Sequence, residues 1–245
     1  MTRSALAAFG LLTIVPLPGA TTSPGGSVGH AIAFFPFVGL TLGVLVAAID
    51  ALLRTAIPIP AVTAMDLVVL AVATGGLHLD GLADAADGLF GASDREGRLA
   101  AMRDSRTGAF GAAALTLVIL LEYAALSGAP PDGRGAVLIT AAVASRWAMS
   151  LAVWAFRPAR PDGLGAAFAR SANTRDVAVA AAIAALVTAA ISSGAIAAIV
   201  VSSLVALAIG GFTFQRLGGL TGDVYGAIGE TAFACVLVAL AARAV

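Results

Sequence analysis

Apolar residues fill this chain in blocks of about twenty, separated by short polar breaks. Residues 28–53 are apolar apart from His30 and Asp50 near the ends, and as a helix they span about 39 Å. Pro36 removes a backbone donor inside that block and predicts a kink. Arg54 through Pro60 form a turn, and residues 60–79 make a second block interrupted only by Asp66 until His78. Further blocks run over about 107–127, 136–156, 177–193, 195–215 and 223–243, each near the roughly 20 residues a bilayer requires. The Gly128-Ala-Pro-Pro-Asp-Gly133 run is a strong breaker, and Pro158, Pro161, Asp162 and Gly163 open a longer loop that continues to Asp176. Residues 4–15 read as a short helix, interfacial or partly inserted. Pro16 and Pro18 break it, and with no good A-x-A site before Thr21 the segment is expected to be retained. The pattern predicts an all-α integral membrane protein with one domain over residues 1–245: a polytopic bundle of about seven transmembrane helices plus a short N-terminal helix.

Composition supports lipid as the solvent: 60% of residues are apolar and mean hydropathy is +0.99, far from an average soluble domain. Net charge is zero, from 14 arginines and 14 acids with no lysine, so a nucleic-acid partner is not indicated. The single Cys235 excludes an internal disulfide and a cysteine-cluster metal site. Arginine placement predicts the orientation. With seven spans, Arg3, Arg95, Arg98, Arg103, Arg106, Arg157, Arg160, Arg170, Arg175 and Arg216 fall on one side, against Arg54, Arg134 and Arg243 on the other. The first side is therefore expected to be cytoplasmic.

That side also carries most of the polar chemistry. Gly75-Gly76-Leu77-His78-Leu79-Asp80-Gly81-Leu82-Ala83-Asp84-Ala85-Ala86-Asp87-Gly88 places a histidine and three carboxylates within ten residues, in a chain only 11% charged. Asp80, Asp84 and Asp87 are spaced to share one helix face. Like charges so placed repel and are poorly solvated near a bilayer edge. A divalent cation removes both costs, and oxygen-only ligands favour Mg²⁺, Mn²⁺ or Ca²⁺; the competing reading is a solvated cap paired to nearby arginines. Glycines as dense as Gly75, Gly76, Gly81, Gly88 and Gly91 suit backbone that approaches a ligand closely or turns sharply, although membrane helices also use glycine for packing. His78 fits a ligand, a phosphate contact, a general acid–base or a merely interfacial histidine.

Downstream, Arg98, Arg103, Asp104, Ser105 and Arg106 alternate basic and acidic groups just before a span. Arginine forks there suit phosphate oxyanions, with Asp104 as a further metal ligand. Arg146 lies near the middle of its span, where a lone charge costs roughly 3 kcal/mol or more. Asp66 and Glu122 are potential partners toward the outer half, while Asp223 and Glu230 share a face of the last span toward the cytoplasmic half. Together these charges predict either a polar cavity reaching down from the cytoplasmic face or a structural ion pair. P-loop, serine-hydrolase and zinc-protease motifs are absent from the sequence.

Residues 75–90, Met102-Arg-Asp-Ser-Arg-Thr-Gly-Ala-Phe-Gly111 and Gly218-Gly-Leu-Thr-Gly-Asp-Val-Tyr-Gly-Ala227 closely resemble the cobalamin synthase family of adenosylcobinamide-GDP ribazoletransferases. Ser145-Arg146-Trp147 and Ile14-Val15-Pro16-Leu17-Pro18 fit it as well. Arg103 stands where many members are expected to carry lysine, which keeps the cation. The resemblance implies a membrane-embedded, Mg²⁺-dependent enzyme of the bacterial or archaeal cytoplasmic membrane, with its active site toward the cytoplasm. It implies the last assembly step of vitamin B12: the ribose 3′-hydroxyl of α-ribazole, or of its 5′-phosphate, attacks the cobinamide-proximal phosphorus of adenosylcobinamide-GDP and GMP leaves. Residue by residue, metal ions on Asp80, Asp84, Asp87 and Asp104 fit the developing oxyanion charge, and Arg98, Arg103 and Arg106 fit the guanylyl phosphates. Asp84 or Asp87 is the expected proton acceptor, with His78 a second catalytic candidate. Gly75, Gly76, Ser105, Arg146, Asp223 and Glu230 complete the expected substrate contacts, and association with itself or with other cobalamin-assembly enzymes is a further expectation. Two other readings compete. Asp84-x-x-Asp87-Gly88 resembles the opening of the CDP-alcohol phosphotransferase motif, but its remaining residues are missing. An ion or proton transporter using Asp66, Glu122, Arg146 and Glu230 is disfavoured because the carboxylates crowd at one face.

Overall fold

The computed structural model describes residues 2–16, 28–161 and 163–241. Among them, eleven α-helices follow in order: α1 (Thr2–Leu12), α2 (Phe35–Leu53), α3 (Ile59–Ala73), α4 (Leu77–Gly91), α5 (Arg95–Ala101), α6 (Ala109–Ser127), α7 (Arg134–Ala155), α8 (Leu164–Ser171), α9 (Thr174–Ile191), α10 (Ala195–Leu217) and α11 (Gly222–Ala241). A 3₁₀ segment, Val28–Phe34, leads into α2.

Helices α7 and α11 are buried over most of their length, whereas α6, α9 and α10 expose most of theirs. Their composition explains the difference. Helix α7 is rich in alanine and serine and α11 in glycine and alanine, small residues that let backbones approach. Gly39 and Gly43 of α2 press on α7 in the same way: a Cβ at Gly39 would lie 2.4 Å from the Ala142 carbonyl oxygen. The outer helices carry large exposed side chains instead, among them Leu117, Leu186 and Ile196, as lipid-facing surfaces require. Among the described residues, six helices, counting the 3₁₀ lead-in with α2, are long and apolar enough to cross a bilayer, and a seventh span arises if the bent pair α3–α4 counts as one. The expected all-α membrane bundle of about seven spans is therefore what forms.

Three expectations change. Pro36 does not kink a long helix: it sits in the first turn of α2, where its missing N–H costs no hydrogen bond. Residues 60–79 are not one straight span, because the chain turns by 87° between α3 and α4. Gly75 and Gly76 have φ of +63° and +70°, a region that glycine enters without steric cost. Arg134, expected in an outer loop, is fully buried in α7 and bonds Asp50 (2.7 Å) and Asp66 (2.9 Å). Asp66 is thus the partner of Arg134, not of Arg146. Arg243 and Pro18 lie outside the described residues.

This buried ion cluster marks one end of the bundle, where Leu126 and Thr63 also bond Arg134. The opposite end holds the bend, α5, the start of α6 and the start of α11. The stretches expected as charged loops are partly helical there, as α4, α5 and α8.

Candidate active site

Helices α4 and α11 cross where both lack a side chain. A Cβ on Gly81 would lie 2.8 Å from the Asp223 carbonyl oxygen, and one on Gly226 would meet Gly81 and His78 at about 3.4–3.5 Å. This crossing brings His78 and Asp80 of α4 against Asp223 and Tyr225 of α11. Just before α11, residues 218–220 pair with residues 157–159. Ala159 N–H donates to the Leu220 carbonyl (2.8 Å) and Leu220 N–H donates to the Arg157 carbonyl (3.0 Å), while Gly219 leaves no room for a Cβ against Pro158 and Ala159. Arg95 staples the same junction, donating to the carbonyls of Leu217 (2.9 Å) and Ala159 (2.8 Å).

A cavity of about 320 Å³ opens at this junction. Its polar wall is His78, Asp80, Arg160, Thr221, Asp223 and Tyr225, and Leu12, Phe35, Val153 and Phe168 form much of the apolar wall. Asp223 accepts from the Thr221 hydroxyl at 3.1 Å and lies in the field of Arg160. Arg160 also donates to the Leu99 carbonyl (2.7 Å), which holds α5 to this loop.

The three motif carboxylates do stand on one helix, but they meet different surroundings. Asp80 is exposed at the cavity. Asp84 is half-buried within the fields of Asp80, Asp223 and Asp87. Asp87 accepts from the backbone N–H groups of Gly108 (2.7 Å) and Gly111 (2.9 Å), so it caps α6 from outside. The 102–111 motif thus serves Asp87 directly, since a Cβ at either glycine would fall within 2.5 Å of its oxygens. Asp104 forms a two-pronged pair with Arg106 (2.7 and 3.0 Å). Those bonds hold its carboxyl down at about 2. Arg103, Ser105 and Arg106 are exposed and Arg98 is half-buried; none of the four lines this cavity. Gly75 and Gly76 line a shallower opening with Asp80 and Thr107. Arg146 and Glu230 line a separate cavity with Glu122, and His78 borders both that cavity and the first.

Do these side chains fit a divalent cation? The donors gathered around Asp84 are carboxylate oxygens and no thiols, which suits a hard cation. Among the described residues, no three His, Cys, Asp or Glu side chains are already drawn together as a metal set. A Mg²⁺ ion, which keeps several waters and binds through one or two carboxylates plus substrate phosphate, needs no such cage. Asp80 and Asp84, with Asp223 across from them, fit it; Asp87 and Asp104 are engaged with α6 and Arg106.

The sequence matches the model of the family described as cobalamin-5-phosphate synthase over residues 4–241. This chain belongs to that family. Its relatives named adenosylcobinamide-GDP ribazoletransferase include the Geotalea daltonii protein, 43% identical over 74% of this chain and 73% of its own. The Frankia casuarinae protein is 44% identical over 73% and 68%, and the Roseiflexus protein 38% identical over 95% and 87%. No solved structure matches. The family match takes in α4, the 102–111 turn and the start of α11, the elements that build the cavity. Sequence reasoning missed Arg160, Thr221 and Tyr225 as its lining. Arg160 gave no signal beyond its charge, but Thr221 and Tyr225 sit inside the 218–227 motif.

Proposed function

We propose that this cobalamin-5-phosphate synthase family member is an adenosylcobinamide-GDP ribazoletransferase. It transfers the adenosylcobinamide phosphate to α-ribazole, or to its 5′-phosphate, and releases GMP. The observation that carries the reading is the junction cavity, where His78 and Asp80 of one motif, Asp223 of another and Arg160 of the intervening loop meet. The acceptor hydroxyl oxygen bonds to the cobinamide-proximal phosphorus, the bond from that phosphorus to the bridging oxygen breaks, and GMP leaves with that oxygen. Arg160 supplies a fixed cation for phosphate oxygens. The hydroxyl proton goes to His78, whose Nε2 is buried and finds no hydrogen-bond partner in the protein, as a neutral acceptor nitrogen would be placed. Bound at Asp80, Asp84 and Asp223, Mg²⁺ would neutralise charge on the diphosphate oxygens.

The protein is multi-pass, and its membrane in this reading is the cytoplasmic membrane. Arg95, Arg98, Arg103, Arg106, Arg157, Arg160, Arg170, Arg175 and Arg216 all belong to the end of the bundle that holds the cavity, which supports a cytoplasmic site. Purified protein given Mg²⁺, adenosylcobinamide-GDP and α-ribazole is expected to release one GMP per cobalamin formed. No GMP with any divalent metal would sink the assignment.

A further inference from the structure

Beyond His78 lies a second, larger cavity of about 570 Å³ between α3, α4, α6, α7 and α11. The bend at Gly75–Gly76 creates it, because α3 turns away from α4 instead of packing along it. Its walls from α3 and α6 are mostly apolar, including Leu67, Ala71 and Leu120. At its inner end stand Glu122, Arg146, Glu230 and His78, between 1% and 7% exposed. Glu122 Oε1, Arg146 Nε and His78 Nε2 have no hydrogen-bond partner in the protein. Buried polar atoms are normally paired, so three such atoms around one cavity mark a place where a ligand's polar edge belongs.

The charge at that end selects the ligand. Arg146 stands in the fields of both Glu122 and Glu230, so its positive charge is already matched and no free cation is left there to hold a phosphate. A neutral group with hydroxyls or ring nitrogens, on an apolar aromatic body, meets both the polar end and the apolar walls. The volume is within the roughly 300–1,000 Å³ usual for small-molecule sites. Val68 and Leu120 line the cavity and are also 60% and 57% exposed on the outer flanks of α3 and α6, so the mouth opens sideways toward lipid.

We infer that this cavity is the acceptor site: it takes the aromatic base and adjoining ribose of the nucleoside, an inference that rests on the proposed reaction. The diphosphate substrate occupies the junction cavity with Arg160, and the acceptor reaches the reaction centre from the other side of His78. The phosphates of either substrate stay outside the second cavity.

The test fills it. Ala71→Phe on α3 places a ring in the cavity without touching the junction residues. The expected result is a rise of about tenfold or more in KM for α-ribazole, with KM for adenosylcobinamide-GDP unchanged. Glu122→Gln, which keeps the volume, is expected to raise the acceptor KM about tenfold by weakening a hydrogen bond to ligand, and it covers the case in which Ala71→Phe does not fold. Benzimidazole alone should quench or shift its fluorescence with wild-type protein in detergent and not with a folded cavity-filled variant. Normal GMP release by wild type, with the acceptor KM unchanged in the folded variants, overturns the acceptor site and leaves the reaction standing. No GMP release by wild type overturns both.

Discussion

Asp84 and Asp87 stand three positions apart on α4, yet substitution should separate them. Asp84 sits among like charges and holds no helix end, so Asp84→Asn is expected to abolish GMP release while leaving the melting temperature in detergent unchanged. Asp87 bonds two backbone N–H groups of α6; Asp87→Ala should lower stability by about 1 kcal/mol, as loss of a cap does, together with activity. Equal melting temperatures for both variants would contradict this division. Asp104 gives a pH test. Its folded value is depressed to about 2, below the ~3.9 of an unpaired aspartate. The stabilisation from its pair with Arg106 is thus complete above about pH 4 and lost only as pH falls through about 2. Asp104→Asn should therefore leave the acidic limb of the pH–rate curve between pH 5 and 7 where it is in wild type. In sequence Asp80, Asp84, Asp87 and Asp104 were all expected to hold metal and Asp84 was not separated from Asp87, because spacing reports a shared face and not which backbone donors a fold will bring to each carboxylate.

At the scale of elements, glycine decides where helices meet and where one stops. The α4–α11 crossing rests on Gly81 and Gly226, and Gly81→Val is expected to force the helices apart, lowering both thermal stability and activity. Normal turnover by that variant would show that the junction is not needed. The spans themselves were readable from apolar length, since lipid imposes a nearly fixed helix length. The bend was legible only as one alternative, a sharp turn at Gly75 and Gly76, while residues 60–79 still read as one span. A run of apolar residues reports burial or lipid contact but carries no direction, and the positive φ at Gly75 and Gly76 is a choice settled by packing. Arg160 was invisible for a related reason: its partners, Leu99 and Asp223, are about sixty residues away on either side.

For the whole molecule, the 75–90, 102–111 and 218–227 motifs converge on one end of the bundle, and the proposed cytoplasmic orientation rests on the arginines gathered there. A cysteine at exposed Ser93, in a Cys235→Ala background, should react with a membrane-impermeant reagent only from the cytoplasmic side. Labelling from outside would reverse the topology. The other end is held by Arg134 with Asp50 and Asp66; Arg134→Met should destabilise by about 3–5 kcal/mol, because it strands two buried carboxylates. That cluster also sets an order of biogenesis. Asp50 and Asp66 emerge from the ribosome 84 and 68 residues before the arginine that pairs them. Until α7 enters the membrane, Asp50 of α2 has only Arg54, 3.9 Å away, Asp66 of α3 has no arginine beside it among the described residues, and α3, at 15 residues, reaches only about 22 Å, short of the roughly 30 Å hydrocarbon core. Stable seating of α3 must therefore wait for α7, so nascent chains halted before Arg134 should be the ones the cell's membrane quality-control proteases remove.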